Sequence, residues 1–406
     1  MSALQSNTGS IQGLRVIELT TMIAGPLCAQ ILADHGAEVI KVEAPQGDMS
    51  RDSPPHLAGV SSYFAGMNRN KRAISLDLTS AAGRAVLLRM LEKADVLLEN
   101  SLPGTMERWS LGYDEVLSKQ FPQLIHCSVT GFGADGPLGG RPGYDAVVQA
   151  YSGLMSINGQ PESGTTRLGI AVVDMATGMN AAIGILLAVA ERHRSGKGQR
   201  IEVTLFDSAM ALLHPYAPNW FASGKTPGPV GNGHPNLMPY DKYAAQDGEI
   251  FIGTANDGQY QRLVAVLGRP DLATDPAFRT KPDRIANRER LDRELAPLIA
   301  TRNAMELAEE LMAERVPASP VQSVPQALNA PHTAHRKMRV RLENGYEGLG
   351  IPVKMTRSPG AIHTAPRTFA QDTDAVLAEF GISESEIAEL EAAGVVRRER
   401  KKAVRN

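Results

Sequence analysis

Residues 14–43 read LRVIELTTMIAGPLCAQILADHGAEVIKVE, and this stretch decides how the fold is interpreted. Its apolar runs Arg15–Leu19 and Glu38–Glu43 have the length and composition of short buried strands. A helix is predicted between them, from about Gly25 to His35. A strand, a helix and a second strand in immediate succession form a βαβ unit, which joins two parallel strands of one sheet.

The same alternation continues downstream. A helix predicted near 81–93 leads to the strand 95–99, and a helix around 113–120 leads to the strand 124–129. Short apolar strands separated by helices favour an α/β fold, here a Rossmann-like domain with a parallel sheet. Ligands in such folds bind beyond the carboxyl ends of the strands. The turns predicted at this functional edge are 20–26, 44–47, 100–104 and 130–140.

The second half of the chain has a different character. Gly224–Asp241, GKTPGPVGNGHPNLMPYD, is rich in proline and glycine and predicts an irregular connector or binding loop. A smaller α+β domain is predicted after it. The predicted organisation is a large Rossmann-like domain (1–205), a linker (206–224), the small domain (225–325) and a return segment that completes the large domain (326–406).

Composition limits the function. With 43% hydrophobic and 21% charged residues, the 406-residue chain has the composition of a soluble globular protein. A net charge of -2 offers no basic field for nucleic acid or an anionic membrane. Two cysteines suit a reducing cytoplasm better than a disulfide scaffold. The polar first dozen residues do not resemble a signal peptide. The apolar run 181–190 is about half the length needed to span a membrane. The basic segment from Arg397 is predicted to be a solvated tail.

Several common site motifs are missing from the sequence. There is no HExxH, paired CxxC or acidic calcium loop, so no metal site is predicted. A GxSxG serine-hydrolase motif is also missing. The turn after the first strand, TTMIAGPLC, has a single glycine where a dinucleotide-binding fingerprint has three, which disfavours a nicotinamide cofactor.

The strongest candidate for chemistry is Asp174. The apolar run Ile170–Val173 before it is predicted to be a buried strand, and a long helix is predicted to begin near Ala176. A carboxylate between a strand and the positive end of a helix occupies a place where its charge and nucleophilicity can be controlled. Aspartate is equally a good N-cap for such a helix. The two roles are compatible.

Three further segments each allow two interpretations. The amides at Ala24–Pro26 could receive a phosphate or a carbonyl oxygen, or the segment is an ordinary proline-initiated helix start. Asn68–Arg72, NRNKR, is a phosphate clamp or a charged loop. In Glu99–Gly104, ENSLPG, the asparagine binds a ligand or shapes the turn.

Together these segments resemble the class III coenzyme A transferases, the family of formyl-CoA transferase and carnitine CoA-transferase. Seven segments carry the resemblance, in the order found in the family, over nearly the whole chain. They read GLRVIELTTMIAGPLCAQILADHGAEVIKVE, GMNRNKRAISLDL, ADVLLENSLPG, SVTGFGADGPLGGRPGYDAV, VVDMATGMNAAIGILLAV, RSGKGQRIEVTLFDS and GNGHPN–PYD.

The resemblance implies that Asp174 is the catalytic nucleophile of an acyl-CoA:carboxylate CoA-transferase. It would form an aspartyl-acyl anhydride and then an aspartyl-CoA thioester. Coenzyme A and acyl-CoA would be substrates, with no permanently bound cofactor. The resemblance further implies an interlocked, ring-like homodimer, and neither nucleic acid nor a membrane is an expected partner.

The resemblance also implies two sets of ligand-binding residues. Those for CoA are Ile23, Ala24, Met67, Asn70, Lys71, Arg72, Asn100, Arg108, Thr130, Gly131, Phe132 and Gly133, with Lys71, Arg72 and Arg108 meeting phosphates. Those for the substrate pocket and oxyanion are Tyr63, Tyr144, Gly231 and Gly233. Three departures from formyl-CoA transferase, at Ala44, Ile23 and Ser101–Leu102, predict a different nucleotide grip and an acyl group other than formate.

Two alternatives and one substrate hypothesis stay open. Racemases of the same family carry a GHD motif, and here it is GYD with Tyr144, a poor base near neutral pH, which favours transfer over racemisation. A protein that binds acyl-CoA without turnover is the alternative from a different class. Arg51, Arg141 and His234 are candidates for receiving the second carboxylate of a dicarboxylate substrate.

Overall fold

The computed structural model describes residues 9–57, 59–343 and 345–400. The chain forms two compact units. The first comprises the chain up to Leu154, Leu168–Ala217 and the segment from His332, and the second comprises Met155–Arg167 and Pro218–Pro331. The first eight of the twelve residues on which the signal-peptide argument rested, and the last six of the basic tail, lie outside the described residues.

The strands are short, as the apolar runs predicted. In chain order they are β1 (Arg15–Glu18), β2 (Glu38–Glu43), β3 (His56–Leu57), β4 (Val60–Ser61), β5 (Lys71–Ser75), β6 (Val96–Glu99), β7 (Ile125–Thr130), β8 (Gly159–Gln160), β9 (Gly164–Thr165), β10 (Arg200–Thr204), β11 (Tyr240–Ala245), β12 (Gly248–Gly253), β13 (Ala318–Pro320), β14 (Arg339–Arg341) and β15 (Glu347–Leu349).

The helices vary from single turns to one of 24 residues. They are α1 (Ala24–Asp34), α2 (Ser62–Ala65), α3 (Ala81–Leu91), α4 (Thr105–Arg108), α5 (Ser118–Gln120), α6 (Asp145–Tyr151), α7 (Leu154–Ile157), α8 (Val172–Ser195), α9 (Leu205–Ala211), α10 (Tyr216–Ser223), α11 (Asp257–Val266), α12 (Lys281–Ala286), α13 (Arg288–Ala300), α14 (Ala304–Ala313), α15 (Val324–Asn329), α16 (Pro331–His335), α17 (Thr373–Glu379) and α18 (Glu384–Ala392). Helices α9 and α10 occupy most of the predicted linker.

The first unit contains the predicted parallel sheet. Its strand order is β10-β7-β6-β1-β2-β5, and all neighbours are parallel. This is the doubly wound order, in which β1 lies beside β6, the fourth strand of this sheet in chain order. Chain direction across the sheet reverses at this pair, and the crevice beyond their carboxyl ends is the expected ligand site.

The core of the first unit joins distant parts of the chain. Ile17 and Leu97 from the sheet are fully buried together with Leu87 of α3 and Leu377 of α17. The C-terminal segment therefore packs on the sheet formed by the N-terminal strands.

Helix α8 packs closely on α1. At Gly178 an added Cβ would lie 2.6 Å from the carbonyl oxygen of Ala24, so glycine permits this approach. The apolar run 181–190 is the middle of this longer helix, so the argument that the apolar stretch is too short to span a membrane was wrong. Among the described residues, α8 is long and apolar enough to cross one. A single such helix also occurs in the cores of soluble proteins and is weak evidence.

The second unit is built on an antiparallel sheet of β11, β12 and β13. Helices α11, α13 and α14 supply its core, in which Tyr260, Leu295 and Leu311 pack with Ile252 of β12 and all four are fully buried.

Candidate active site

Asp174 lies in the first turn of α8, as the third residue of that helix. The predicted strand before it is wrong: Ile170 is exposed and the helix already begins at Val172. The N-cap position is occupied by Ala171, which makes no side-chain cap, so Asp174 is not the N-cap either. A half-buried carboxylate in the first turn is close to the positive end of the helix dipole.

A second carboxylate, Asp145 at the start of α6, takes the place of the missing cap. Its Oδ1 accepts hydrogen bonds from the amides of Val173 (2.7 Å) and Asp174 (3.2 Å). The motif GYD was singled out for its tyrosine, and sequence reasoning missed the adjacent aspartate. Burial, and next the negative charge of Asp145, raise the pKa of Asp174 to about 7. The two carboxylates thus form an electrostatically coupled pair.

The crevice beyond β1 and β6 is a pocket that contains Asp174. The predicted residues that line it are Ile23, Ala24, Asn100, Thr130, Gly131, Tyr144 and Asp174. They come from the turns after β1, β6 and β7 and from the starts of α1, α6 and α8. The structure therefore brings together seven of the seventeen predicted site residues in one pocket.

Partly buried polar contacts hold the two loops that form the pocket wall. The side chain of Asn100 bonds the backbone of Thr21, and the Met22 amide donates to Asp48 Oδ1 at 3.3 Å. Met22 has a φ of 72°, in the left-handed region that non-glycine residues rarely adopt. Asp48 is fully buried and paired with Lys41 at 3.0 Å. Strained backbone held by a buried ion pair is typical of functional loops.

The charged segment Asn68–Arg72 does not line this pocket. The Nζ of Lys71 is buried and donates to Glu18, the Pro26 carbonyl and Asn68. Arg72 forms ion pairs with Glu38 and Glu379.

Other residues predicted to bind CoA have varied surroundings. Asn70 accepts from the amides of His363 and Thr364, and Met67 is half-buried. Arg108 is exposed and donates to the Thr105 hydroxyl. Phe132 packs on Tyr151 and Phe206, and the Gly133 amide donates to Thr130.

The two tyrosines differ in their relation to Asp174. Tyr144 lines the pocket and is 64% exposed. Partial burial, and then the charges of Asp174, Asp145 and Asp48, raise the pKa of Tyr63. The Tyr63 hydroxyl therefore stays protonated at neutral pH.

Gly231 and Gly233 belong to the second unit. The Gly231 amide donates to the Gly159 carbonyl at 2.9 Å, and the Gly233 amide donates to Val230 at 3.1 Å. Gly231 has a φ of 64°, and a Cβ there would collide with Gln160. Both amides are engaged within their own unit in this conformation.

The three candidates for binding a second carboxylate have different surroundings in the structure. Arg51 is paired with Glu43 and stacks on Phe64. His234 lies in the second unit, where its ring accepts from the Asn236 amide. Arg141 lines the Asp174 pocket and has no ion pair with any described residue. It is the one basic side chain in the pocket wall within the described ranges.

A second, smaller cavity shares a wall with the pocket. It contains Glu99 and His126, whose Oε1 and Nε2 are 3.7 Å apart. Burial raises the pKa of Glu99 to about 7 and lowers that of His126 to about 4. No sequence signal pointed to this pair.

No group of three or more His, Cys, Asp or Glu side chains in the described part of the chain is arranged to hold a metal ion.

Comparison with known proteins gives concordant matches. Residues 11–373 match the model of a family described as CoA-transferase family III. The succinyl-CoA:mesaconate CoA-transferase of Haloarcula hispanica is 39% identical over 370 residues, 87% of this chain and 92% of that protein. The acetyl-CoA:oxalate CoA-transferase of Acetobacter aceti is 40% identical over 350 residues, 86% of this chain and 90% of that protein. A crystal structure of a CaiB/BaiF family protein from Brucella suis matches with a TM-score of 0.82 and 36% identity, covering 92% of this chain and 99% of that one.

Proposed function

The chain belongs to CoA-transferase family III, and we propose that it transfers CoA from an acyl-CoA to a carboxylic acid through covalent intermediates on Asp174. One observation carries the proposal. Asp174 is a half-buried carboxylate in the pocket at the sheet's switch point, and its raised pKa makes its ionised form a stronger nucleophile than an ordinary aspartate.

The proposed reaction conserves the thioester bond energy. The Asp174 carboxylate attacks the acyl carbonyl, the carbon–sulfur bond breaks, and CoA thiolate leaves behind an aspartyl-acyl anhydride. The thiolate then attacks the aspartyl carbonyl and expels the donor acid, which gives an aspartyl-CoA thioester. The acceptor carboxylate attacks this thioester and repeats the two steps in reverse, so that acyl-CoA of the acceptor and free Asp174 result.

The oxyanions of these steps need hydrogen-bond donors. Ile23, the N-cap residue of α1, and Ala24, its first residue, line the pocket, and amides at the start of a helix lack partners within the helix. We assign oxyanion stabilisation to them, together with the predicted Gly231 and Gly233. The glycine amides would first have to leave their present acceptors.

Dicarboxylates are the proposed substrate class. Mesaconate and oxalate, the acids in the names of the two relatives, each carry two carboxylates. One carboxylate must reach Asp174 for transfer, and the second needs a cation. Arg141 is a basic group in the same pocket without an ion pair among the described residues, so it fits this role.

We further propose a homodimer in a reducing cytoplasm. Met179, Ile183, Leu186 and Leu187 recur at helical spacing on one face of α8 and are 39–65% exposed. Such an apolar stripe is costly in water, and a second copy of the chain is the proposed cover. The proposed interlocked form would bury this stripe permanently.

Both cysteines, Cys28 and Cys127, are free and buried, which agrees with a reducing compartment.

The test is mass spectrometry of the protein after mixing with succinyl-CoA, acetyl-CoA or a short branched acyl-CoA. A hydroxylamine-sensitive adduct at Asp174 is expected with at least one donor, and Asp174→Asn should form none while still binding CoA. Wild-type turnover in Asp174→Asn would refute the mechanism. Binding without any adduct would favour an acyl-CoA-binding protein, and exchange of the α-proton in deuterated water would favour a racemase.

A further inference from the structure

The first turn of α8 is held from outside the helix. Ala171 at the N-cap position has no polar side chain, so the amides of Val173 and Asp174 would be unsatisfied. Asp145, at the start of α6, accepts from both. These bonds fix the backbone of the proposed nucleophile from a residue 29 positions earlier.

Gln149 determines the hydrogen-bonding state of Asp145. The amide of Leu168 donates to Gln149 Oε1 at 2.8 Å, so the side-chain NH₂ of Gln149 points the other way. It donates to Asp145 Oδ2 at 2.6 Å. Asp145 therefore faces three donors, an arrangement that suits the ionised carboxylate because that form only accepts. Gln149 is fully buried and Asp145 is 8% exposed, so water screens this charge little.

No ion pair of Asp145 with a described residue neutralises this charge. Burial, and then the charges of Asp174, Asp145 and Asp48, raise the pKa of Tyr63 on α2, so its hydroxyl is uncharged at neutral pH. Arg141 and Tyr144 line the same pocket, but the raised pKa of Asp174 has burial and Asp145 as its causes. The Asp174 anion is thus opposed by a like charge that accepts three hydrogen bonds.

We propose that Asp145 is a positioning residue for Asp174 whose fixed charge also drives the nucleophile toward its covalent forms; this rests on the proposed function of Asp174. The aspartyl anhydride and the aspartyl-CoA thioester carry no charge at residue 174. When the donor acid has left, the negative charge that opposed Asp145 has left with it. Repulsion therefore raises the free energy of the resting anion relative to the aspartyl-CoA enzyme, just as it favours protonation.

Two variants separate position from charge. In Asp145→Asn, the side-chain oxygen still accepts from both amides, but its NH₂ group meets the NH₂ of Gln149. In Asp145→Asn/Gln149→Glu, the introduced glutamate accepts from both the asparagine and the Leu168 amide, so the hydrogen bonds are restored. The negative charge then lies one hydrogen bond further from Asp174. The double variant also serves if the single variant folds poorly.

The first readout needs no substrate: the pH dependence of Asp174 modification by a water-soluble carbodiimide, followed by peptide mass spectrometry. We expect the midpoint to fall by about one pH unit in the single variant and by less in the double variant, which keeps a charge nearby. The fraction of enzyme trapped as hydroxylamine-sensitive adduct with succinyl-CoA should fall by about tenfold in the single variant and by less in the double variant. Turnover should fall most in the single variant and recover partly in the double variant.

The failures are distinguishable. An unchanged midpoint and adduct fraction in both variants would overturn the role of the Asp145 charge, and equal turnover in the two variants would overturn its positioning role. A wild-type enzyme that never forms an adduct with any donor would instead overturn the proposed function, whatever the carbodiimide titration shows.

Discussion

The side-chain amide of Asn100 hydrogen-bonds both backbone groups of Thr21: Oδ1 accepts from the amide at 3.1 Å and Nδ2 donates to the carbonyl at 3.0 Å. Thr21 follows β1 and Asn100 follows β6, so this pair joins the loops on the two sides of the switch point. The fit requires an asparagine, because it needs one donor and one acceptor in a fixed order.

Asn100→Asp therefore keeps the size of the side chain but places an oxygen against the Thr21 carbonyl. We expect kcat/KM to fall about tenfold or more, since a hydrogen bond and its geometry are worth about 1–2 kcal/mol. Steady-state kinetics measures the loss, with Gln120→Ala, at an exposed position of α5, as the control. Full activity in Asn100→Asp would show that the loops do not depend on this clamp.

The raised pKa of Asp174 predicts how acylation depends on pH. The ionised form attacks, so the rate of acyl-enzyme formation should rise with pH and level off above about 7, in rapid-quench measurements. An ordinary aspartate would show no change between pH 5 and 8. A flat profile over that range would mean that Asp174 is already ionised at pH 5.

The same shift has a consequence for stability. A carboxyl group whose pKa is raised by folding contributes stability below its ordinary pKa, and this is lost as pH rises through the folded value, here about 7. Asp174→Asn should therefore gain stability over wild type at pH 8 relative to pH 5. We expect about 1–2 kcal/mol, reduced by the partial exposure of the group, from denaturant melts at both pH values. The control Asp114→Asn, on the surface, should show no such difference.

Arg141 predicts a selective effect on substrates. Arg141→Ala should raise KM for dicarboxylate acceptors about tenfold and leave monocarboxylates unchanged, because only the former present a second anion. Arg141→Lys should retain part of the effect. The matched comparison is Arg108→Ala, which is expected to weaken all acyl-CoA substrates alike through the proposed phosphate contact. An equal loss for every acid in Arg141→Ala would point to a CoA phosphate instead.

Features of the fold and the site could be predicted from the sequence where neighbouring residues determine them, and not where distant residues do. The parallel sheet was predictable because strand and helix lengths are local properties of runs such as Arg15–Leu19. The strand predicted for Ile170–Val173 failed because four apolar residues do not distinguish a strand from a loop entering a helix. Asp145 was missed because it caps a helix far along the chain.

The contacts of Lys71 also involve a residue far away in the sequence. Its cationic side chain suggested a phosphate ligand, whereas its buried Nζ is 2.9 Å from Glu18, 53 positions earlier, beside a second buried cation, Lys41. Removing one member of a buried ion pair costs about 3–5 kcal/mol when the other is left uncompensated, but Glu18 would still have Lys41 as a partner at 3.4 Å. Lys71→Met should therefore cost less, about 1–3 kcal/mol, because the acceptors of the Lys71 ammonium lose their donor.

If this contact is the main role of Lys71, the variant that still folds should bind CoA with the same dependence on salt as wild type, since no phosphate contact is lost. Arg108→Ala is the positive control for a lost cation, and Lys119→Met, at an exposed position, is the control for stability. Calorimetric titration with CoA at two salt concentrations and denaturant melts distinguish the roles. A weaker salt dependence of CoA binding with unchanged stability would contradict a mainly structural role of Lys71 and support its predicted contact with a CoA phosphate.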